Sequence, residues 1–494
     1  MKNGHAFWGS LLIVCLTASG LRAEHQPETV KAEDSTIDAE HATKMPSMWE
    51  QDYLTGDWGG ARTKLSDKGV AFGVNLIDEV LGNPTGGIDQ AVINGGRVEL
   101  TLDLDFEKMA GLQGSSFHSN AYYIYGSDLS AGHIGNIFTV SNIEAYDTLR
   151  LFDLWYQQEF KVGSSGKISI RAGQIAADDE FFISDYAATF INGTFGWPAL
   201  TAANLPSGGP GYPLATPGIR LQYDPIEDVS LLAAVFDGDP GDRGENPQKK
   251  DSTGTNIDFN QGFFSMFEAQ YRVKLGQQQL PGQYKLGAFY ATQNFPDVGT
   301  DDQGFSLADT ANTTGNPRAH SGDWGVYFIA DQMVWRENSI KAGDPKEKKD
   351  AKDMKNAKAE EPDDQGLGVF WRVGGAPQDV NLISFYTDAG VNYKGLITGR
   401  DNDVAGLAVA YGHISDDVSQ FDRDNNTFND AEAPVRNEEI AIEFTYQAQI
   451  APWWVVQPDI QYIIHPGGNS PDPDNGNHAI DDALVLGVRT TISF

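Results

Sequence analysis

The amino-acid sequence predicts an all-β protein, a transmembrane antiparallel β-barrel of about 16 strands. The first observation is alternation, as in RVELTLDLDF (97–106), where every second residue is polar or charged and the residues between are apolar. Alternation predicts a strand, because successive side chains leave a sheet on opposite faces. The second observation is the even number of such segments, each of roughly ten residues, as a membrane barrel requires. The third is a regular change between short and long connections.

The predicted strands follow one another along the chain from about residue 70 onward. Alternation is clear in KISIRA (167–172), in FEAQYRVKL (267–275) and in the last segment, 484–494. About sixteen strands are predicted to begin near residues 70, 96, 115, 149, 167, 217, 229, 263, 284, 324, 366, 379, 403, 438, 453 and 483. Short connections are predicted after the second, fourth, sixth, eighth and fourteenth strands, and long ones after the first, third, fifth, seventh and ninth. This asymmetry is typical of a barrel in the bacterial outer membrane.

The first 23 residues (1–23) predict a secretory signal peptide. A positive charge at Lys2 precedes an apolar run, and Ala23 is a small residue at the expected cleavage site. The one cysteine, Cys15, lies inside this segment, and the bulky Val14 before it argues against a lipoprotein cleavage box. Neither disulfides nor thiolate metal ligands are therefore expected in the mature chain.

The residues after the signal peptide divide into a leader and the barrel. Residues 24–52 are polar and charged, and predict a flexible N-terminal segment. A short amphipathic helix is predicted around 60–68. The barrel is predicted to occupy 53–494.

Composition excludes several classes of function. The chain has 69 acidic and 35 basic residues and a formal net charge of -34, so nucleic acid is not expected as a partner, because phosphate binding relies on a basic surface. No apolar run after the signal peptide approaches the roughly 18 residues of a spanning helix. The nine histidines lack metal-binding spacing and no glycine-rich phosphate loop is present, so no cofactor is predicted.

The apolar rows of the strands have two possible environments. They would face the core of a soluble sandwich or the lipid around a barrel, and alternation alone does not decide. The signal peptide, the number of strands and the terminal aromatic Phe494 favour lipid, with the polar rows around a wet interior. Aromatic residues near strand ends then suit interfacial girdles or ordinary packing; they are Tyr53, Trp324, Trp335, Trp453 and Trp454.

Several motifs together resemble the carbohydrate-selective porins of the OprB type. They are LTGDWGGARTKLSDKGVAFGVNL (54–76), TLRLFDLWYQQEF (148–160), RAGQIAADDEFF (171–182), FINGTFGWP (190–198), PDIQYIIHPGG (458–468) and ALVLGVRTTISF (483–494). The resemblance spans about residues 54–494. It implies a sixteen-stranded barrel through which mono- or oligosaccharides diffuse across the outer membrane of a Gram-negative bacterium, past a narrow eyelet that contains arginine.

Strand parity points three arginines, Arg97, Arg171 and Arg220, into the predicted lumen, and Arg489 with them. A guanidinium offers hydroxyl oxygens a fixed fork of donors. Carboxylates on the same faces would accept hydrogen bonds from hydroxyls; they are Glu99, Asp103 and Asp105. The alternative is that these residues brace the wall through ion pairs. The acidity of the chain would disfavour anionic sugars at the mouth, even where arginines attract them at the eyelet.

The segment LRLFDLWYQQEF (149–160) leaves two alternatives open. Trp155 and Glu159 share one parity, and Arg150 has the other. Either a bulge near Leu151 and Phe152 corrects the register, or Arg150 lies beyond the lipid band.

Residues 175–217 are predicted to form a constriction loop folded into the lumen, because alternation fails there. The loop carries consecutive carboxylates at Asp178, Asp179 and Glu180. Its Trp197 is predicted to be an exposed sugar-stacking platform, or else an apolar anchor for the loop. The predicted solute pathway therefore comprises Arg97, Glu99, Asp103, Asp105, Arg150, Trp155, Glu159, Arg171, Asp178, Asp179, Glu180, Trp197 and Arg220.

The lysine-rich residues 339–365 break the connection rule, because parity places this long segment on the short-turn side. They predict a tolerated periplasmic insertion or a docking segment for a periplasmic partner. The other predicted partners are transported sugars and outer-membrane lipid, with a homo-oligomer left open. The alternative functions are a general diffusion porin and a soluble β-rich carbohydrate-binding protein. A glycosidase using the carboxylates at 178–180 is a further alternative, although adjacent residues on a strand point apart, and no nucleophile-elbow motif supports another hydrolase.

Overall fold

The computed structural model describes residues 47–241, 246–257, 261–337 and 365–494. The predicted signal peptide (1–23), most of the predicted flexible segment (24–52) and all but one residue of the predicted insertion (339–365) lie outside these ranges.

Sixteen of the described strands close into one antiparallel barrel, which confirms the predicted fold class. The strands are β1 Val70–Gly87, β2 Val92–Asp105, β3 Ser115–Gly126, β4 Thr148–Val162, β5 Gly166–Ile175, β6 Thr216–Ile226, β7 Val229–Asp237, β8 Phe263–Leu275, β9 Leu280–Asp301, β10 Pro317–Arg336, β11 Gly366–Gly375, β12 Ile383–Lys394, β13 Val404–Ile414, β14 Glu438–Ala451, β15 Trp454–Ile464, β16 Pro471–Asp472, β17 Asn475–Ala479 and β18 Asp481–Ser493. Neighbours in sequence pair with each other, and β18 pairs with both β15 and β1. The short β16 and β17 form a separate hairpin.

The helices of the described residues are short and lie in the connections and in the segment before β1. They are α1 Ala61–Asp67, α2 Phe106–Ala110, α3 Gly193–Gly196, α4 Ala199–Ala202, α5 Pro247–Lys250, α6 Asp416–Phe428 and α7 Pro466–Asn469. The predicted helix around 60–68 is α1. None of the helices in the described ranges is long and apolar enough to cross a lipid bilayer.

The two faces of the strands differ in exposure as alternation predicts. On β8 and β9, Phe267 is 56% exposed and Leu286 is 63% exposed, whereas the adjacent Glu268 and Lys285 are only 3% and 6% exposed. The apolar rows therefore point out of the barrel and the polar rows point into it. These residues therefore do not form the sandwich alternative, in which two stacked sheets would bury the apolar rows in a hydrophobic core.

The two rims of the barrel carry different connections. The rim with short turns includes 163–165 between β4 and β5, and 227–228 between β6 and β7. The other rim carries long loops, such as 127–147 and 176–215. The predicted long connection after the first strand is wrong, because β1 is 18 residues long and its last residues pair with β18, leaving only 88–91 as the connection to β2.

The segment before β1 meets the C-terminal residues at the short-turn rim. The Arg62 guanidinium of α1 donates a 2.9 Å hydrogen bond to the carbonyl oxygen of Phe494, and the Leu54 N–H donates to the carbonyl of Ser493. Of the aromatic residues predicted for interfacial girdles, Trp324 is 52% exposed on the outer surface, whereas Trp453 is buried and donates from its indole to the carbonyl oxygen of Met48.

Candidate functional site

The loop between β5 and β6, residues 176–215, fills part of the barrel interior, because strand side chains bind its backbone. Arg372 of β11 donates to the carbonyl oxygens of Thr194 at 3.0 Å and Phe195 at 2.9 Å. It also pairs with Asp388 of β12, and both side chains have 0% exposure. A buried guanidinium is thus satisfied by one carboxylate and by loop carbonyls together.

Carboxylates on other strands bind the N–H groups of the same loop. Glu268 of β8 accepts from Phe182 at 3.0 Å, and Glu443 of β14 accepts from Ile191 at 2.6 Å and from Asn192 at 2.9 Å. The loop is therefore held against the β8–β14 side of the barrel. Polar side chains that keep some exposure lie on the opposite wall, β2–β6.

A series of contacts crosses this wall from β2 to β6. The Asp103 carboxylate lies 2.8 Å from His118 Nδ1, the His118 ring stacks 5.0 Å from Trp155, and the Arg171 Cζ lies 3.6 Å from the Trp155 centroid. Arg171 and Arg220 then share the Glu180 carboxylate. We call this series the wall ladder; its members are Asp103, His118, Trp155, Arg171, Glu180 and Arg220.

Most N–H donors of the two arginines in the wall ladder are hydrogen-bonded to protein acceptors. Arg220 is 3% exposed and donates to Glu180 at 3.0 Å, to Ser169 at 2.5 Å and to Gln157 at 3.1 Å. Arg171 donates to Gln157 at 3.1 Å as well as to Glu180. Glu180 is therefore neutralised by two guanidinium groups.

Arg97 of β2 has a different environment, between aromatic faces. Its Cζ lies 4.4 Å from the Tyr122 centroid and 5.2 Å from that of Tyr212, within the range of cation–π attraction. The nearest carboxylate, Glu99, lies 3.8 Å away, too far for a hydrogen bond. Among the described residues, the buried Nε of Arg97 has no hydrogen-bond partner. This guanidinium is therefore held in place while its hydrogen-bonding capacity is only partly used.

The three consecutive carboxylates of the loop take different positions. Glu180 joins the wall ladder, and Asp179 is exposed. Asp178 accepts a 2.8 Å hydrogen bond from the Tyr212 N–H through one oxygen, and its other oxygen is buried without a partner among the described residues. Burial, together with the negative charge of Asp179, raises the pKa of Asp178 to about 7.

Arg150 turns inward because β4 contains a bulge, the first of the two alternatives left open by the sequence. Ser119 pairs with Leu154 and Ala121 pairs with Leu151, so one residue of β3 faces two of β4. The Arg150 side chain is 1% exposed and donates at 2.7 Å to the carbonyl oxygens of Pro213 and Gln248. It ties two loops together and lies away from the exposed lining, so the expectation that it lines the pathway is not met.

The remaining predicted residues lie apart from the wall ladder. The exposed indole expected at Trp197 is wrong: the residue is 9% exposed, and its Nε1 donates to the Gly208 carbonyl at 2.9 Å. These are the contacts of the anchor alternative. Near the short-turn rim, Glu159 pairs with Lys167 at 2.8 Å, and Asp105 caps α2 by accepting from the Lys108 N–H at 3.0 Å.

Several residues of the site were not predicted. His118 and Tyr122 have lumen parity in FHSNAYYIY (117–125), so the alternation that selected Arg97 contains them as well. Tyr212 and the loop-binding role of Arg372 have no comparable signal, because both depend on the path of a long irregular loop. Alternation predicts on which face of the sheet a side chain lies, but it does not predict which residue the side chain contacts.

Comparisons with known proteins agree with the fold and indicate the family. The profile of the family described as "Carbohydrate-selective porin, OprB family" matches residues 89–494. Porin B of Pseudomonas aeruginosa is 26% identical over 484 residues, which cover 93% of this chain and 94% of that protein.

Solved structures of OprB from Pseudomonas putida are similar to the whole barrel. The structure at high pH has a TM-score of 0.74 and 25% sequence identity, and the match covers 90% of this chain and 99% of that one. The structure at low pH has a TM-score of 0.51 and 19% identity, with the same coverage, and supports the fold alone. The family profile spans more than half of the sequence and ends at the last strand, so the chain belongs to the OprB family of carbohydrate-selective porins.

Proposed function

We propose that this protein lets mono- or oligosaccharides diffuse passively across the outer membrane of a Gram-negative bacterium, through the space between residues 176–215 and the β2–β6 wall. The family assignment makes the protein a channel rather than an enzyme. Its exposed apolar rows suit a lipid environment. The proposed domain division keeps 1–23 as signal peptide, 53–494 as barrel and 175–217 as constriction loop.

The observation that carries the proposal is the arrangement of Arg97 beside Glu99. The guanidinium rests on Tyr122 and Tyr212, is 16% exposed, and lies 3.8 Å from a carboxylate that is 14% exposed. A donor fork and an acceptor are thus adjacent at the water-accessible wall. A sugar hydroxyl both donates and accepts, so this pair replaces water on two sides of it.

Passage requires such contacts to be numerous and weak. A solute crosses a constriction when binding offsets its lost hydration without holding it tightly. Arg97 and Glu99 supply one set of contacts, the exposed Asp179 supplies an acceptor near Glu99, and the exposed Asp103 supplies another further along β2. Arg171 and Arg220 support the wall instead, because Glu180, Gln157 and Ser169 already occupy most of their donors.

Liposome swelling and planar-bilayer currents test this proposal. Full-length mature protein in liposomes should admit a graded series of neutral sugars faster than amino acids of equal size, and neutral sugar should reduce its single-channel current. Equal rates for sugars and amino acids would make it a general diffusion porin. Swelling no faster than in protein-free liposomes would remove the channel function altogether.

Substitution of Arg97 tests the residue assignment. Arg97→Ala should enlarge the conductance and weaken the block by neutral sugar, because the donor fork and its volume are both lost. Lys64→Ala removes a positive charge from an exposed position on α1 and is the matched control, expected to behave as the parent. Unchanged sugar block in Arg97→Ala would exclude Arg97 from the constriction.

A further inference from the structure

The constriction has more carboxyl groups than cationic side chains. On the β2–β6 wall away from the short-turn rim, and on the first turn of the loop, the carboxyl groups belong to Glu99, Asp103, Asp153, Asp178, Asp179 and Glu180. The guanidinium groups there belong to Arg97, Arg150, Arg171 and Arg220. These groups interact, since the charge of Asp179 acts on Glu99, Asp153 and Asp178. Because the pKa of Asp178 is raised to about 7, that carboxyl group is partly protonated at neutral pH, and the negative charge available to a solute lies mainly with the exposed Asp103 and Asp179.

The exposed charges of this layer are negative. The Asp103 side chain is 48% exposed, and Asp179 is exposed. The Arg171 and Arg220 side chains are 16% and 3% exposed, and both are paired with Glu180. Water in the constriction thus contacts carboxylates more than it contacts guanidinium groups.

Arg97 does not reverse this balance. Its exposed fraction is 16%, and the Glu99 carboxylate lies 3.8 Å away. A neutral hydroxyl can accept from Arg97 while it donates to Glu99. A solute carboxylate at the same place gains one cation but lies beside Glu99 and within electrostatic reach of Asp179, whereas a solute ammonium group is attracted by both carboxylates.

From this arrangement we propose that the constriction sorts sugars by charge: it passes neutral sugars and amino sugars and retards sugar acids, and it prefers cations among small ions. The proposal rests on the sugar-channel function proposed above and names its solute class. A cleft lined by charges of one sign raises the local concentration of the opposite ion on the order of tenfold or more, and the effect weakens as salt is added.

Zero-current potentials in planar bilayers test the proposal with three salts. Across a KCl gradient, the potential should have the sign of K⁺ selectivity, with a K⁺ to Cl⁻ permeability ratio on the order of tenfold at about 0.1 M salt. Gradients of glucosamine hydrochloride and potassium glucuronate use the same sugar ring with opposite charge. The glucosamine cation should be more permeant than Cl⁻. Glucuronate should be less permeant than K⁺, and the ratio of K⁺ to glucuronate permeability should exceed the ratio of K⁺ to Cl⁻ permeability.

Substitution of two exposed carboxylates tests whether the cation preference arises in the constriction. Asp103→Asn with Asp179→Asn keeps the size of both exposed side chains and removes their charges, so the K⁺ to Cl⁻ ratio should fall several-fold and glucuronate should become more permeant. Asp67→Asn removes an exposed carboxylate from α1 and should leave the potentials unchanged. Heat-modifiable migration on gels shows that each variant forms the barrel.

The outcomes separate this proposal from the one on which it rests. Block of the current by neutral glucose reports the sugar pathway, and the three potentials report charge preference. Two results would overturn the charge proposal and leave the sugar pathway intact. In both, neutral glucose still blocks the current; in the first the channel prefers Cl⁻ to K⁺, and in the second glucosamine and glucuronate are equally permeant. Absence of any glucose effect would overturn the sugar pathway, and the KCl potential would then still decide the preference between cations and anions.

Discussion

The guanidinium carbon of Arg171 lies 3.6 Å from the centroid of the Trp155 ring. The two residues stand on adjacent strands, β5 and β4, and both point into the barrel. Attraction between a cation and an aromatic face adds to the Arg171–Glu180 ion pair. Trp155 is therefore a positioning residue for the basic half of the wall ladder, and its indole face is occupied by a protein cation.

Replacement of Trp155 by Leu should loosen Arg171 and change conduction. A cation–π contact is worth about 1 kcal/mol, which corresponds to roughly a fivefold change in an equilibrium, so sugar block should weaken by about that factor and the conductance should rise. Single-channel recording with a neutral sugar measures both. Trp324→Leu is the matched control, because that indole is 52% exposed on the outer surface. Equal sugar block in the parent and Trp155→Leu would contradict the positioning role.

The buried pair of Arg372 and Asp388 should matter more for folding. Removal of one partner from a buried ion pair costs about 3–5 kcal/mol, because the other charge remains buried without compensation. Arg372→Met also removes the donors that hold the carbonyls of Thr194 and Phe195. We therefore expect a large drop in the denaturant midpoint and a higher conductance in the fraction that folds.

Two further variants make this result specific. Arg372→Met combined with Asp388→Leu removes both charges and should recover part of the lost stability. Arg423→Met, on the exposed face of α6, should change stability by less than about 0.5 kcal/mol. A loss in the double variant as large as in Arg372→Met would show that the pair itself is not the cause.

The alternation that predicted the strands is a local property of the chain, and for this reason it was reliable. The weakest predicted strands, near 379 and 403, are β12 and β13, which begin at Ile383 and Val404. The same rule gives Arg372 its lumen orientation in GLGVFWRVGG (366–375). Alternation gives no information about partners, and besides Asp388 on the adjacent strand those of Arg372 include backbone carbonyls of a loop far away in sequence.

The positions that the sequence did not settle, at Arg150 and Trp197, also have physical reasons. The bulge in β4 reverses parity at Arg150, and either register was consistent with the sequence. Trp197 had two alternatives, an exposed sugar-stacking platform or an apolar anchor, and the loop folds back over the indole and buries it. In both cases the contacts of the long connections decide where the side chain lies, and the alternation of polar and apolar residues does not predict those contacts.

The carboxyl group of Asp178 should make the stability of the constriction loop depend on pH. Burial, with the Asp179 charge beside it, raises the pKa of Asp178 to about 7 in the folded protein, whereas an aspartate in an unfolded chain titrates near about 3.9. Between these values the folded form binds more protons than the unfolded form. The contribution of Asp178 to stability is thus complete below about pH 4 and is lost as pH rises through about 7.

Asp178→Asn should remove this dependence. The amide keeps an oxygen that accepts from the Tyr212 N–H, as in the 2.8 Å hydrogen bond of the parent, and it carries no charge at any pH. Hydrogen exchange of residues 176–215, corrected for intrinsic rates, should therefore show a loss of protection between pH 5.5 and 8 in the parent that is smaller in Asp178→Asn. Asp67→Asn, on the exposed surface of α1, should keep the full pH dependence. The same change in protection in Asp178→Asn as in the parent would assign the titration to another carboxyl group of the constriction.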